Sequence, residues 1–175
     1  MSKKPSYTPM MKHYLEVKEQ HKDAIIFYRL GDFYEMFFDD AKTASQELDL
    51  VLTGRNAGVE ERVPMCGIPY HAAKGYIERL IQKGYKVAIV EQLEDPALAK
   101  GLVKRDVIKI VTPGTIMDEV SDEKNTVYIA SLHDYQFGLA VILCEMTTGE
   151  MRAQLIDKQV MAIQKVLLGN NVKEV

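Results

Sequence analysis

An apolar run followed by an aromatic-rich turn constrains this 175-residue chain more than any other feature. The run Ala24–Leu30 has the length and content of a buried strand, and Gly31-Asp32 supplies turn residues. Four aromatic residues then crowd six positions: Phe33, Tyr34, Phe37 and Phe38. The helix formers in residues 39–48 predict that the strand turns here into a helix. If the turn is locally extended, Phe33 and Glu35 share one face, because side chains two apart in extended chain point the same way.

Apolar runs typical of strands alternate with amphipathic stretches typical of helices through the first two thirds of the chain, which predicts an α/β domain with a mixed sheet packed by helices. The predicted strands cover residues 24–30, 63–68, 85–90 and 104–111. The predicted helices cover about residues 8–20, 37–48, 70–83 and 95–101. Pro64 places its strand near a sheet edge. The polar, Gly-bearing stretch 53–62 predicts a loop or a hairpin tip.

A second region follows an acidic, polar stretch at residues 116–125, which we interpret as a linker. The predicted domains are therefore 1–115 and 126–175. The second region shows three predicted strands at residues 127–132, 137–145 and 150–156, with a tight turn at 147–149 between the last two. A predicted helix at 158–168 and an opening strand at 172–175 follow. Because a strand opens at its last residues, we expect a chain that has been cut.

Composition excludes several classes of protein. No apolar run approaches ~18 residues, so we expect a cytoplasmic protein without a membrane segment. Cys66 and Cys144 form no CxxC pair and are expected to be reduced, and the four histidines show no metal-ligand spacing. The net charge of −3 does not by itself suggest nucleic acid, since free-standing DNA-binding proteins usually carry a basic surface.

Gly31 to Glu35 resembles the Gly-Asp-Phe-Tyr-Glu signature of the mismatch-recognition domain of the MutS family. Further segments match that family in order and spacing: Thr8-Pro9-Met10-Met11, Phe27-Tyr28-Arg29, Asp39-Asp40-Ala41, Pro64-Met65-Cys66-Gly67-Ile68-Pro69-Tyr70-His71, Glu91-Gln92 and Val111-Thr112-Pro113-Gly114-Thr115. The resemblance is dense to about Thr115. It implies a mismatch-recognition domain over 1–115 and, over 126–175, part of a connector domain that is similar to ribonuclease H.

Four residues acquire DNA-binding roles from this resemblance. Phe33 matches the ring that enters the minor groove, stacks on a mispaired base and kinks the duplex; unstacking costs least where pairing is already defective. Glu35 matches the carboxyl group that hydrogen-bonds the displaced base; if it is protonated, it can donate to a ring nitrogen. Arg55 matches a basic position near the DNA backbone. Met65 belongs to a matched motif and is a further minor-groove candidate.

The resemblance also implies a non-catalytic module that binds double-stranded DNA containing mismatches or small loops. Full-length relatives hydrolyse ATP with Mg²⁺ in a C-terminal domain, and this sequence contains no G-x-x-x-x-G-K-[ST] phosphate-binding loop. We expect no metal, cofactor or catalytic residue in this chain. The expected state of the fragment is a monomer, and that of the full-length protein is a dimer that works with MutL-like repair proteins.

Plainer interpretations remain open for each residue. Phe33 can be core packing at a helix start, Glu35 can satisfy N–H groups of a helix N-terminus, Arg55 can be a solvated loop charge, and Met65 can be core filler. Lys100, Lys104, Arg105 and Lys109 can form a weak phosphate patch, although a solvated strand edge is favoured.

Two alternative functions also stay open. One is a metal-dependent nuclease on a similar scaffold that uses carboxylates from Asp32, Asp39, Asp40 or Glu91. Against it, the Glu16-Val17-Lys18 sequence has no obvious aspartate partner. The other alternative is a protein-interaction module.

Overall fold

The computed structural model describes residues 6–94, 101, 103–115 and 127–175. The chain divides into two compact units, Met1–Val111 and Thr112–Val175. The predicted helix that begins at Asp95, the predicted linker 116–125 and the candidate phosphate ligand Lys100 lie outside the described residues. The predicted domain boundaries at 115 and 126 stay predictions.

The first unit is built on a mixed six-stranded sheet in its described part, as the alternating pattern predicts. Its elements are α1 (Pro9–Gln20), β1 (Ala24–Leu30), β2 (Phe33–Phe37), α2 (Phe38–Leu48), β3 (Thr53–Arg55), β4 (Val63–Pro69), α3 (Ala73–Gln82), β5 (Lys86–Gln92) and β6 (Arg105–Val111). The strand order is β3-β4-β2-β1-β5-β6. β1 and β5 are parallel and the other neighbours are antiparallel. A short 3₁₀ turn, Tyr70–Ala72, precedes α3.

Helices cover both faces of this sheet because its inner strands are apolar on both sides. Ala24, Ile26 and Tyr28 alternate along β1 and pack against α1. Cys66 projects from the opposite face of β4, where its thiol contacts the carbonyl of Ala41 in α2 at 3.4 Å. α3 packs against α2 and β5. The result is a three-layer arrangement with the sheet in the middle.

The predicted transition from strand to helix at Phe33 is wrong. Gly31-Asp32 instead forms a hairpin turn, with Leu30 opposite Phe33 and Gly31 at φ +58°. β2 continues to Phe37, and α2 begins only at Phe38. The strand persists because β1 and β4 flank it and supply partners for its backbone on both sides. The locally extended alternative, with Phe33 and Glu35 on one face, is the one that the fold adopts.

The second unit carries its own sheet. Its elements are β7 (Tyr128–Tyr135), β8 (Gly138–Glu145), β9 (Met151–Ile156), α4 (Val160–Gly169) and β10 (Val172–Glu174). The order is β10-β7-β8-β9, with β10 parallel to β7 and the rest antiparallel. Residues of α4 pack on one face of this sheet, against Tyr128, Val141 and Leu143. The predicted strands, helix and opening strand are confirmed.

The predicted tight turn after β8 is also confirmed, and a carboxylate holds it. Glu145 accepts hydrogen bonds from the backbone N–H groups of Thr147 (3.0 Å) and Thr148 (2.6 Å) and from both threonine hydroxyls. These donors lower the pKa of Glu145 to about 2. Gly149 completes the turn at φ +74°.

Both cysteines are free thiols, as predicted. Burial raises the pKa of Cys66 to about 12, so this thiol is protonated at neutral pH. Over the described ranges, no helix has the length and apolar character needed to cross a bilayer.

Candidate nucleic-acid interface

The four residues predicted to bind DNA lie on one face of the first sheet. Phe33 and Glu35 alternate along β2, and the register places Glu35 opposite Gly67. Met65, two residues before Gly67 on β4, is paired with both neighbouring strands. Arg55 ends β3 opposite Val63 on the same side. Because directly opposed residues of antiparallel strands project to the same side, the four side chains share the face that packs α1.

Phe33 leaves its ring free at the end of this face. It is 48% exposed, whereas Phe37, four residues further along the same side of β2, is fully buried against Tyr14 of α1. The difference arises because α1 covers the Phe37 end of β2 and leaves the hairpin end open. An aromatic ring at an uncovered hairpin end can stack on another flat group.

Glu35 forms an ion pair with Arg55 across β4. The Glu35 side chain is 15% exposed and that of Arg55 is 36% exposed, so the cation is the more accessible partner. The Arg55 guanidinium also lies 5.9 Å from the centroid of the Phe37 ring. The two predicted DNA contacts therefore hold each other, a pairing that the sequence did not reveal.

Gly67 makes room for the Glu35 side chain. A Cβ atom at Gly67 would lie 3.4 Å from Cγ of Glu35 and 3.3 Å from the carbonyl oxygen of Tyr34. The 3.3 Å approach is tighter than most van der Waals contacts and the 3.4 Å approach lies at that limit, so a larger residue would require Tyr34 or Glu35 to shift by a few tenths of an ångström. The glycine is part of the segment that resembles the family, but the residues alone did not suggest this steric role.

The loop after Arg55 is held against the start of α1. The backbone N–H of Thr8 donates to the carbonyl of Ala57 at 2.8 Å. Gly58 has φ +84°, and a Cβ there would lie 2.8 Å from the carbonyl oxygen of Ser6. Arg62 donates to the carbonyl of Gly54 within β3. Residues 53–62 thus comprise the edge strand β3 and the loop that joins it to β4 in an antiparallel hairpin, so the predicted hairpin tip is confirmed.

Met65 is only partly buried and packs against the core beneath α1. It lies opposite Phe37 on one side and Thr53 on the other. This position agrees with the core-filler interpretation of Met65, while its remaining exposed surface leaves the predicted DNA contact as a prediction.

A polar network supports the hairpin from the opposite face of the sheet. Arg29 donates through Nε to the carbonyl of Gly31, and its guanidinium lies 3.6 Å from the centroid of the Tyr70 ring. Another nitrogen of Arg29 lies 3.3 Å from Glu91, which also accepts from the hydroxyl of Tyr34. Burial and the bond to Glu91 raise the pKa of Tyr34 to about 12. Sequence reasoning assigned no role to Arg29, although it belongs to a matched segment.

Two hydrogen bonds to backbone carbonyl groups also hold the hairpin. The N–H of Tyr70 donates to the carbonyl of Asp32 at 2.9 Å, which ties the hairpin turn to the end of β4. Arg105 donates through Nε to the carbonyl of Arg29 at 2.9 Å, and its guanidinium lies over the Tyr28 ring. Lys104 and Lys109 are exposed at the edge strand β6, which confirms the predicted solvated strand edge for these two residues. Arg105 is buried, so for this residue the prediction is wrong.

The carboxylates considered for the alternative nuclease function have separate partners and do not form one site. Asp40 is buried and accepts from Lys18, whereas Asp39 is exposed and pairs with Lys42, and Glu91 belongs to the network of Arg29. Because Lys18 pairs with Asp40, the prediction that the Glu16-Val17-Lys18 sequence has no aspartate partner is wrong. Within the described ranges, no group of three histidine, cysteine or acidic residues is placed to hold a metal ion.

Comparison with known proteins gives a family match and close relatives. Residues 8–120 match the family model described as MutS domain I. The chain is 61% identical over 146 residues to the DNA mismatch repair protein MutS of Acetivibrio thermocellus, which covers 83% of this chain and 17% of that protein. It is 61% identical over 148 residues to the protein of the same name from Clostridium tetani, with the same coverage. The Bacillus subtilis protein of that name is 55% identical over 154 residues, covering 87% and 18%.

The chain thus spans 17% to 18% of the length of these relatives. The family match begins at residue 8, covers the rest of the first unit and continues to residue 120, and it includes the hairpin, Glu35, Arg55 and Met65.

Proposed function

The chain belongs to the MutS family through its domain I, and on this premise we propose that it recognises mismatched DNA with the exposed end of its first sheet. The observation that carries the proposal is the placement of Phe33. Its ring is half exposed at the hairpin end, on the same face as a carboxyl group and a guanidinium. This is the combination that stacking on a base, hydrogen bonding to its edge and contact with a phosphate require.

Selectivity follows from the energy of deforming the duplex. Inserting a ring between base pairs requires unstacking, which costs a few kcal/mol and costs least where pairing is already defective. Stacking Phe33 on the freed base returns roughly 1–3 kcal/mol. A mispaired or looped site therefore binds more tightly than a matched one, although no base sequence is read directly.

Glu35 and Arg55 would complete this interface. The carboxyl group of Glu35 lies on the same strand face as Phe33, two residues further along β2, and is placed to bond the edge of a displaced base. Arg55 lies on the edge strand, where its guanidinium is accessible to a phosphate. Met65 is the neighbour on β4 that would extend the contact in the minor groove.

The test is fluorescence anisotropy of the 175-residue chain with a duplex containing one G·T mismatch and with its matched duplex, at low salt. We expect tighter binding of the mismatched duplex, and a loss of that preference by about five- to a hundredfold in Phe33→Ala, the value of one stacked base. Phe137→Ala, which removes an exposed phenylalanine from the second unit, is the matched control and should keep the preference. A preference retained in Phe33→Ala would contradict the proposal.

The remaining expectations concern the whole protein. We infer a cytoplasmic dimer that binds ATP and Mg²⁺ through regions outside this chain and works with MutL-like partners, while this chain acts as a non-catalytic, monomeric module. We also infer that residues 126–175 begin a connector domain similar to ribonuclease H. In support, β7, β8 and β9 form an antiparallel meander and β10 returns through α4 to lie parallel to β7.

A further inference from the structure

The ion pair between Glu35 and Arg55 is incompatible with the DNA contacts proposed for these two residues. In the free chain the carboxylate and the guanidinium satisfy each other. On DNA, Glu35 is to contact a base and Arg55 a phosphate, which draws the two groups to different partners. The pair must therefore open for both contacts to form.

We propose that Arg55 is a specificity-determining residue that competes with the mispaired base for Glu35 and is released by a backbone phosphate of the duplex. This inference rests on the proposed function. Arginine binds carboxylate and phosphate with the same planar donor geometry, so a phosphate is a chemically matched replacement for Glu35. Exchange between the two anions requires only a movement of the arginine side chain.

The surroundings of the pair favour this exchange. Arg55 ends a three-residue edge strand and is the more exposed member, so it can reach a phosphate without unfolding its strand. Glu35 is the less exposed member and its Cγ lies beside Gly67, so it has less freedom to move than the guanidinium. When Arg55 leaves, a partly desolvated carboxylate loses its partner, which is unfavourable unless a new partner arrives.

The two kinds of duplex differ at this point. A displaced base at a mismatch offers its edge to Glu35, so opening the pair is compensated by two new contacts. In a matched duplex the bases stay stacked and offer Glu35 nothing, so the pair remains closed and Arg55 is withheld from the backbone. The pair thereby links a contact to the phosphate, which carries no sequence information, to the presence of a displaced base.

A double-mutant cycle tests the exchange. The variants of the 175-residue chain are Arg55→Gln, Glu35→Gln and the double variant, titrated at low salt with the G·T duplex and the matched duplex. Each single variant loses one DNA contact but no longer has to open the pair, whereas the double variant loses both contacts. On the mismatched duplex we therefore expect the double variant to bind about two- to fivefold more weakly than the product of the single effects, the size of one partly exposed ion pair. On the matched duplex Glu35→Gln frees Arg55 for the backbone and should tighten binding, Arg55→Gln alone should change binding little, and the double variant should bind about as the wild type does.

The matched control is the same cycle with Arg62→Gln in place of Arg55→Gln. Arg62 is an exposed arginine of the adjoining loop that bonds the carbonyl of Gly54. The effects of Arg62→Gln and Glu35→Gln on DNA affinity should simply multiply on both duplexes. A cycle for urea unfolding of the free chain should show favourable coupling of Arg55 with Glu35 and none of Arg62 with Glu35.

The outcomes separate this inference from the proposed function. Simple multiplication of the Arg55 and Glu35 effects on the mismatched duplex, or tighter binding of that duplex by both single variants than by the wild type, would show that the pair stays closed in the complex and would overturn the exchange. Coupling of opposite sign would show that the pair strengthens on DNA, which also overturns it. Phe33→Ala is measured in the same series: if it keeps the mismatch preference, the proposed function fails, and if it abolishes the preference while the cycle is additive, only the exchange fails.

Discussion

The face of the first sheet beneath α1 has a covered end and an open end, and the carboxylate at each end has different hydrogen-bond partners. At the covered end, buried Asp40 accepts from the hydroxyl of Tyr14 at 2.7 Å, from Nζ of Lys18 at 2.8 Å and from the N–H of Ile26 at 3.0 Å. At the open end, Glu35 is paired with the accessible side chain of Arg55.

The contrast separates structural from exchangeable contacts. Donors from a helix and a strand converge on Asp40, so its hydrogen bonds hold tertiary packing together and leave no room for a ligand. Burial and the nearby charge of Asp40 raise the pKa of Tyr14, which keeps its hydroxyl a donor. The Arg55 pair stabilises the fold little, because it is partly exposed, and can therefore be given up to another partner.

The largest expected effect comes from the two phenylalanines of β2. Phe37→Ala empties a fully buried site against Tyr14 and should lower the free energy of unfolding of the first unit by about 3–5 kcal/mol. Phe33→Ala, on the same strand and face but half exposed, should change it by less than about 1 kcal/mol. Urea unfolding followed through amide NMR signals of the first unit measures both. Similar losses for the two variants would break the distinction between covered and open ends.

An intermediate effect is expected at Asp40. Asp40→Asn places an amide N–H₂ group among three donors and removes the charged partner of Lys18, which should cost about 2–3 kcal/mol. Asp39→Asn is the control, because Asp39 is exposed and pairs with Lys42 within its own helix turn; its cost should stay below about 0.5 kcal/mol. The same unfolding measurement applies, and an Asp40 variant as stable as the control would show that this network does not hold the packing.

The smallest effect concerns the support of the hairpin. Arg29→Lys keeps the charge, but a lysine cannot bond Gly31 and Glu91 and stack on Tyr70 at the same time. We therefore expect the free energy of unfolding to fall by about 1 kcal/mol and hydrogen exchange at the N–H of Tyr70 to become faster. Arg79→Lys, a partly exposed arginine near the end of α3, should leave that exchange unchanged. Unchanged exchange in the Arg29 variant would mean that the backbone alone fixes the hairpin.

Local patterns predicted the elements well because they report short-range physics. Thr8 caps α1 with Pro9 in its first turn, Gly84 follows α3 at φ +86°, and β1 covers the residues of the apolar run Ala24–Leu30. Each depends on backbone conformation or on the polarity of neighbouring positions, which the sequence contains directly. The hairpin at Gly31 was missed because aromatic residues and helix formers adjoin there, and β2 depends on strands that are distant in sequence.

The sequence by itself determined the alternation of strands and helices, the shared face of Phe33 and Glu35 in an extended turn, and the family to which the motifs point. Only the tertiary structure decided the partners of the charged groups: Arg55 for Glu35, Lys18 for Asp40, and the carbonyl of Arg29 for buried Arg105. The physical reason is register. These partners lie 20 to 76 residues apart, and which charges meet depends on how strands align and which helix covers which end of the sheet.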